Sequence, residues 1–219
     1  MGVEAIAHYV LPDSAYLMWV RDELVDYLHL PKDGTRVEII GGEIVVSPGP
    51  TVGHNGIVRD VERGVFAAEL ADPAFIWRSV QTTDLNMFDI GDGYIPDLIL
   101  LEEPILREAR ASEAKHLLPH QVDLVVEVTS ISTAVNDREP KAGRRPAGTK
   151  WSGYAHSGIP YYLLIDRDPR AAKATLYGMP ERRSGMYKEI RSWDFGETIR
   201  IGAPFGFDIS TEQWTPWDD

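Results

Sequence analysis

The sequence predicts one domain of the α/β (α+β) class, in which a mixed β-sheet is flanked by helices. Apolar residues recur at three- and four-residue spacing over 13–30 and 53–70, as in amphipathic helices. Two nearly continuous apolar runs, 122–128 and 159–165, have the length of strands that are buried on both faces. Helices and buried strands in this alternation predict a single layered domain over residues 1–219.

The first elements of the chain are predicted to be a helix and a β-hairpin. The helix begins after Asp13 or Ser14, because both residue types favour the N-cap position. Strand-like runs over 36–40 and 43–47 follow, and they flank a pair of glycines that is typical of a two-residue hairpin turn. The sequence therefore predicts that a helix and a hairpin precede the central sheet.

The rest of the chain is predicted to alternate strands with short helices and loops. Residues 102–120 are polar and long enough to hold a short helix. Residues 131–149 are rich in Pro, Gly and Arg, which predicts a loop. A short helix over 149–157 ends at Gly158, a natural residue for a helix C-terminus. The further strands predicted are 75–83, 94–101, 173–179, 186–191 and 198–201.

Composition narrows the class of protein. The 219 residues are 43% hydrophobic and 26% charged, which suits a packed core and excludes a disordered polymer. The longest apolar runs are only strand-sized, and the first residues do not resemble a signal peptide, so we expect a cytoplasmic protein with no membrane partner. With no cysteine, the chain has no disulfide, thiolate metal site or cysteine nucleophile.

Charge is distributed unevenly. The chain carries a formal −12, yet residues 138–191 hold twelve Lys and Arg against five Asp and Glu. That segment is therefore +7 and the remainder −19. A basic segment on an acidic body fits a polyanion that meets one face of the protein, whereas the alternative is a solvated loop whose charges cluster only in sequence.

Three acidic residues lie within apolar strand patterns. Asp97 opens the strand that follows Pro96, Glu127 lies near the end of 122–128, and Glu38 lies in the first strand of the hairpin. A buried carboxylate is costly unless it is paired or binds a metal. If the three strands are neighbours, the acids form an oxygen-rich site for Mg²⁺ or Mn²⁺; otherwise each lies hydrated or paired with arginine at a margin of the sheet.

Blocks of sequence carry a resemblance to a known family. They are, in order, the hairpin 36–48, His54, Pro96-Asp97-Leu98, Val126-Glu127-Val128-Thr129-Ser130, Asp137-Arg138, Lys150 with Tyr154, and the strand 158–166. Together they resemble the Uma-type restriction endonuclease family of the PD-(D/E)XK nuclease superfamily. The likeness covers about residues 12–210 and implies a restriction-endonuclease-like core.

The resemblance also implies an activity, namely metal-dependent hydrolysis of phosphodiester bonds. By this likeness Asp97, Glu127 and the carbonyl of Val128 would hold Mg²⁺ or Mn²⁺, with help from Glu38. Lys150 would complete the catalytic set as the residue that stabilises charge in the transition state.

The chain departs from the superfamily pattern at the lysine. Thr129 stands where the pattern has a lysine, two residues after Glu127, and the family supplies a migrated lysine that would be Lys150. Residues 140–149 look like an insertion, so Lys141 is a competing candidate for the catalytic lysine.

The substrate implied is a nucleic acid, with DNA expected. Residues expected to contact it are His54, Arg138, Lys141, Arg144 and Arg145. A homodimer would cut both strands most easily. The alternatives are a nuclease fold that has become a binding module, which Thr129 favours, and a phosphohydrolase that acts on small esters. His116 and His120 are expected to be surface histidines rather than zinc ligands.

Overall fold

The computed structural model of the protein describes residues 11–31, 33–140 and 148–218. The helices are α1 (Ala15–Val20), α2 (Leu24–Tyr27), α3 (Val52–Ala71), α4 (Glu103–Ala111), α5 (Ala134–Asp137) and α6 (Lys150–His156). The strands are β1 (Arg36–Ile40), β2 (Glu43–Ser47), β3 (Trp77–Gln81), β4 (Asp84–Met87), β5 (Asp92–Tyr94), β6 (Leu98–Glu102), β7 (His116–Leu117), β8 (Leu124–Val128), β9 (Tyr161–Asp166), β10 (Lys173–Glu181), β11 (Met186–Asp194), β12 (Ile199–Ile201) and β13 (Phe207–Ile209).

The strands form two larger sheets and a small one. Six strands pair in the order β11-β10-β9-β8-β6-β3, five in the order β2-β1-β5-β4-β7, and β12 pairs with β13. In the six-stranded sheet β8 and β9 are parallel, while β6 and β8 are antiparallel. The mixed α/β class predicted from the sequence is confirmed, but the hairpin β1–β2 belongs to a second sheet.

The N-terminal helix differs from its prediction. Residues 13–30 form two short helices, α1 and α2, instead of one. Asp22 adopts a positive φ of 60° between them, and this left-handed conformation cannot continue a helix. Ser14 is the N-cap, and its hydroxyl accepts from the N–H of Leu17. The apolar spacing is compatible with one helix or two, and in the structure the two helices bury Met18, Trp19 and Leu24.

The central sheet separates two apolar layers. Along β6 and β8 successive side chains point to opposite faces, so Leu98 and Val126 pack with α3, β12 and β13, while Ile99 and Val125 pack toward α6. Glu127 has the same parity as Val125 and therefore points to the α6 side. The period of two along one strand thus decides which layer receives the acid.

Helix α6 packs tightly against the second sheet. An added Cβ on Gly153 would lie 2.1 Å from the hydroxyl of Tyr94, so only glycine permits this approach. Tyr94 in turn donates to Asp92, whose carboxylate accepts from the N–H groups of Gly41 and Gly42 in the hairpin turn. These contacts fix the hairpin relative to the start of α6. Of the helices in the described ranges, none combines the length and apolarity that crossing a bilayer requires.

Candidate active site

A cavity of about 550 Å³ opens where the two large sheets meet the start of α3 and the start of α6. Antiparallel pairing places the beginning of β6 beside the end of β8, and parallel pairing places the end of β9 on the other side of the end of β8. The acids singled out in the sequence all line this cavity: Glu38, Asp97 and Glu127. Lys150, the first residue of α6, lines it as well.

Lys150 bridges two of the acids. Its Nζ lies 2.8 Å from Oε1 of Glu38 and 2.8 Å from Oε1 of Glu127. All three side chains are at least nine-tenths buried. Since Glu38 comes from β1 and Glu127 from β8, the lysine joins acids that belong to different sheets. The sequence left open whether their strands were neighbours, and the structure shows that the acids meet without strand pairing.

Further hydrogen bonds orient the two glutamates. The backbone N–H of Ile95 donates to Oε1 of Glu38 at 2.7 Å, and the hydroxyl of Tyr154 donates to Oε1 of Glu127 at 2.6 Å. Lys150 contacts the same two oxygens. Within the described residues, no hydrogen bond reaches Oε2 of either glutamate. Each carboxylate is therefore held at one oxygen and has the other available to a cation.

Asp97 is held by a different set of neighbours. Its Oδ1 lies 2.9 Å from a guanidinium nitrogen of Arg36 and 2.9 Å from Nε2 of His54, while Oδ2 accepts from the N–H of Val128 at 2.9 Å. A carboxylate has about four acceptor positions, so at least one remains. The expected substrate contact His54 thus lies in the cavity with Asp97 as its neighbour.

A fourth carboxylate completes the cluster. Asp137, at the end of α5, is buried, lines the cavity, and lies 4.0 Å from Lys150. Burial raises its pKa well above the usual value, although the charge of Lys150 opposes the rise. The sequence placed Asp137 only in a polar pair of the family pattern. A polar residue in a Pro- and Arg-rich stretch carries no local signal of burial.

The electrostatics of the cluster favour a charged lysine. Burial acts to lower the pKa of Lys150, but Glu127 and Glu38 hold it well above its usual value. Burial likewise acts to raise the pKa of Asp97, but the contact with His54 and the charge of Lys150 hold it below its usual value. Lys150 therefore carries a positive charge across the physiological range, and Asp97 a negative one.

The pKa of Glu127 moves the other way. Burial raises it from 4.5 to about 7 despite the attraction of Lys150, and the charges of Asp97 and Glu38 add to the rise. At Glu127 the folded protein therefore binds more protons than the unfolded chain between about pH 4.5 and pH 7. The contribution of Glu127 to the free energy of unfolding consequently decreases as the pH rises through that window.

This sign gives a testable pH dependence. With metal chelated, the melting temperature of the wild type should fall relative to that of Glu127→Gln as the pH rises from about 5 to about 8, because glutamine does not titrate. Differential scanning calorimetry of both proteins measures the difference. Parallel curves over the whole range would contradict the raised pKa.

The residues present fit a divalent cation. The cluster has four carboxylates (Glu38, Asp97, Glu127 and Asp137) against two permanent cations, Lys150 and Arg36. Buried carboxylates in excess of cations are costly unless another positive charge compensates them. Available carboxylate oxygens are the ligands that Mg²⁺ and Mn²⁺ prefer. The fit to these ions rests on this donor chemistry.

A second acidic cluster lies outside the cavity. One ligand atom each from Asp22, Asp84 and His116 lies within 4.8 Å of the others. Lys115 forms an ion pair with Asp22 there. Burial raises the pKa of Asp84 to about 6, with the charges of Asp22 and Glu38 adding to the effect. His116 is half-buried, and His120 is exposed as expected.

The expected basic contacts are only partly accounted for. Arg138 is not among the residues that line the cavity, and its guanidinium pairs with Asp166 at 2.7 Å and with Asp168 at 3.1 Å. Lys141, Arg144 and Arg145 lie outside the described residues, as does most of the insertion at 140–149. The role of the basic segment in binding remains a prediction.

Two site residues were missed or misjudged from the sequence. The sequence placed Tyr154 only beside Lys150 in the family pattern, and the structure shows that it is buried and donates to Glu127. Arg36 was read only as the start of a strand, yet it pairs with Asp97, 61 positions away in the chain. The arginine beside an apolar strand was the available signal, but its partner depends on how the two sheets pack.

The chain matches a known protein family in sequence and a solved structure in fold. The family model Uma2, described as "Putative restriction endonuclease", matches residues 24–212. Among solved structures, a protein from Anabaena variabilis ATCC 29413 described as "a putative nuclease belonging to DUF820" is similar in fold, with a TM-score of 0.53. The two chains share 16% identity over 81% of this chain and 87% of that one. The search of curated proteins found no match.

Proposed function

The chain belongs to the Uma2 family, described as "Putative restriction endonuclease", and from this premise we propose that it is a metal-dependent endonuclease that hydrolyses phosphodiester bonds in DNA. Family membership supports a nuclease. The choice of metal and of DNA is our proposal, and one observation carries it. Lys150 lies 2.8 Å from Glu38 and from Glu127, in the cavity that also holds Asp97.

The metal would be held by Asp97, Glu127, Glu38 and the carbonyl of Val128. Bound Mg²⁺ or Mn²⁺ would neutralise phosphate charge and lower the pKa of a water ligand. Arg36 and His54 hold Asp97 in place. The cluster is already hydrogen-bonded before substrate arrives, so little reorganisation is needed.

Lys150 contributes electrostatically. It keeps its proton and holds the positive charge beside Glu38 and Glu127, where negative charge on the attacked phosphate would develop. A fixed charge in a cavity with restricted access to water is worth more than the same charge in bulk solvent. Tyr154 holds Glu127 at the oxygen that the lysine contacts, so the pair keeps one geometry.

The position of Lys150 also helps to decide between a nuclease and a nuclease fold that has become a binding module. Thr129 does stand in the usual lysine position, and its hydroxyl accepts from the N–H of Arg167 and lies 3.2 Å from Asp166. Thr129 is thus part of the scaffold. Lys150 reaches Glu127 from α6, which supports the migrated lysine implied by the family over Lys141.

The direct test is metal-dependent cleavage. Purified protein is incubated with supercoiled plasmid in Mg²⁺ or Mn²⁺, and we expect nicked and linear products that a chelator abolishes. The Asp97→Asn protein, prepared identically, controls for contaminating nucleases. Intact plasmid in both metals, or faster turnover of a small ester such as p-nitrophenyl phosphate, would contradict the proposal; the second result would select a phosphohydrolase.

A further inference from the structure

Arg167 lies directly after β9 and lines the same cavity as the acids. Its backbone is fixed on two sides: its N–H donates to the hydroxyl of Thr129 at 2.9 Å, and its carbonyl accepts from the N–H of Trp217 at 3.1 Å. The side chain is anchored as well, because its Nε donates to the carbonyl of Thr215 at 3.2 Å. The guanidinium is therefore positioned before any ligand arrives.

One outer nitrogen of this guanidinium lies beside the start of α3. A Cβ on Gly53 would be 3.5 Å from Nη2 of Arg167, which is an ordinary contact distance. The side chain thus spans the space between the first turn of α3 and the C-terminal residues 215–218. The N–H groups of the guanidinium therefore lie at the cavity wall and not beneath it.

Arg167 differs from the other cations of the cavity in its partners. Arg36 is paired with Asp97, and Lys150 is paired with two glutamates. No carboxylate in the described part of the chain forms an ion pair with Arg167. Its charge is consequently available to an incoming anion, whereas theirs compensates the acids.

The cavity needs such a charge. The wall carries the four-carboxylate cluster together with Asp218, and each ionised carboxylate repels an entering phosphodiester. A planar guanidinium whose Nε is already bonded to Thr215 still offers its two outer nitrogens, and their geometry matches phosphate oxygens better than a point charge does. Partial burial lowers the pKa of Arg167 while the charge of Asp218 opposes this, so an anion already influences the group.

We propose that Arg167 binds a backbone phosphate of the nucleic-acid substrate, in the ground state and the transition state alike. This inference rests on the proposed nuclease function and adds a substrate-binding residue to it. Asp218 lines the same cavity, and its negative charge would compete with the phosphate for this guanidinium. Arg167 therefore sets affinity, while Lys150 sets the rate of the chemical step.

The test compares Arg167→Ala, Arg167→Lys and the control Arg170→Ala. Arg170 lies three residues away, is 91% exposed, and does not line the cavity. Fluorescence anisotropy with a labelled duplex, in Ca²⁺ to limit turnover, gives Kd across a salt series. For Arg167→Ala we expect about a tenfold weaker Kd and a salt slope smaller by about 0.9, the loss of one phosphate contact.

The matched variants sharpen the expectation. Arg167→Lys should recover most of the salt slope because it keeps the charge, and Arg170→Ala should leave both Kd and slope unchanged. Asp218→Asn should tighten binding. In cleavage assays Arg167→Ala should raise KM with little change in kcat, as expected when binding is lost equally in the ground and transition states. Thermal melts verify that each variant folds.

Several results would overturn the inference. They are an unchanged Kd and slope in Arg167→Ala, an equal loss in Arg170→Ala, or a lower kcat at unchanged KM. A wild type that binds and cuts DNA, with Arg167→Ala equally effective, would refute this inference and leave the nuclease function standing. A wild type that neither binds nor cuts would refute both, and one that binds through Arg167 without cutting would refute the nuclease alone.

Discussion

Replacing Asp97 by asparagine is expected to lower metal-dependent cleavage by about three orders of magnitude, the rate equivalent of several kcal/mol of lost stabilisation. Asparagine keeps the shape of the side chain but removes the charge that a divalent cation requires. We expect millimolar Mg²⁺ or Mn²⁺ to raise the melting temperature of the wild type by mass action, and the variant should lose most of that rise. Calorimetry and plasmid cleavage on the same preparations measure the two effects.

Two controls separate this effect from general damage. Asp92 is also a buried aspartate, but it caps the hairpin turn, so Asp92→Asn should lower stability and leave the metal response intact. Asp84→Asn addresses the acidic cluster outside the cavity. If the metal response survives in Asp97→Asn and disappears in Asp84→Asn, the cation binds at Asp22, Asp84 and His116, and the proposed centre is wrong.

Lys150→Ala should have two separable consequences. Loss of one fixed charge in the transition state should lower kcat by roughly two orders of magnitude. In metal-free buffer the free energy of unfolding should drop by about 3–5 kcal/mol, because Glu38 and Glu127 lose their buried counter-ion. Added Mg²⁺ should restore part of that stability without restoring the rate. Chemical denaturation with and without metal, together with single-turnover kinetics, distinguishes the two.

Comparison with other lysines tests the assignment. Lys188→Ala, at an exposed position of β11, should change neither quantity. Lys141→Ala should mainly weaken DNA binding. If Lys141→Ala instead abolished turnover while Lys150→Ala remained active, the catalytic lysine would lie in the insertion and the contacts of Lys150 would be structural only.

Local patterns in the sequence were sufficient for much of the fold. The hairpin at 36–47 and the helix at 53–70 were predicted because turn-forming glycines and apolar spacing act within a few residues. The apolar runs of β8 and β9 identified strands covered on both faces. The break at Asp22 was missed, since the same spacing of apolar residues serves one helix or two.

The sequence by itself determined the chemistry that is available: acids within apolar strands, a lysine at a helix start, and their order along the chain. Only the tertiary structure decided which of them meet. Glu38 reaches Glu127 across two sheets through Lys150, and Arg36 rather than Arg138 faces the cavity. The reason is physical. Residue type and periodicity are local properties, whereas contact between distant residues depends on strand pairing and on the packing of whole faces.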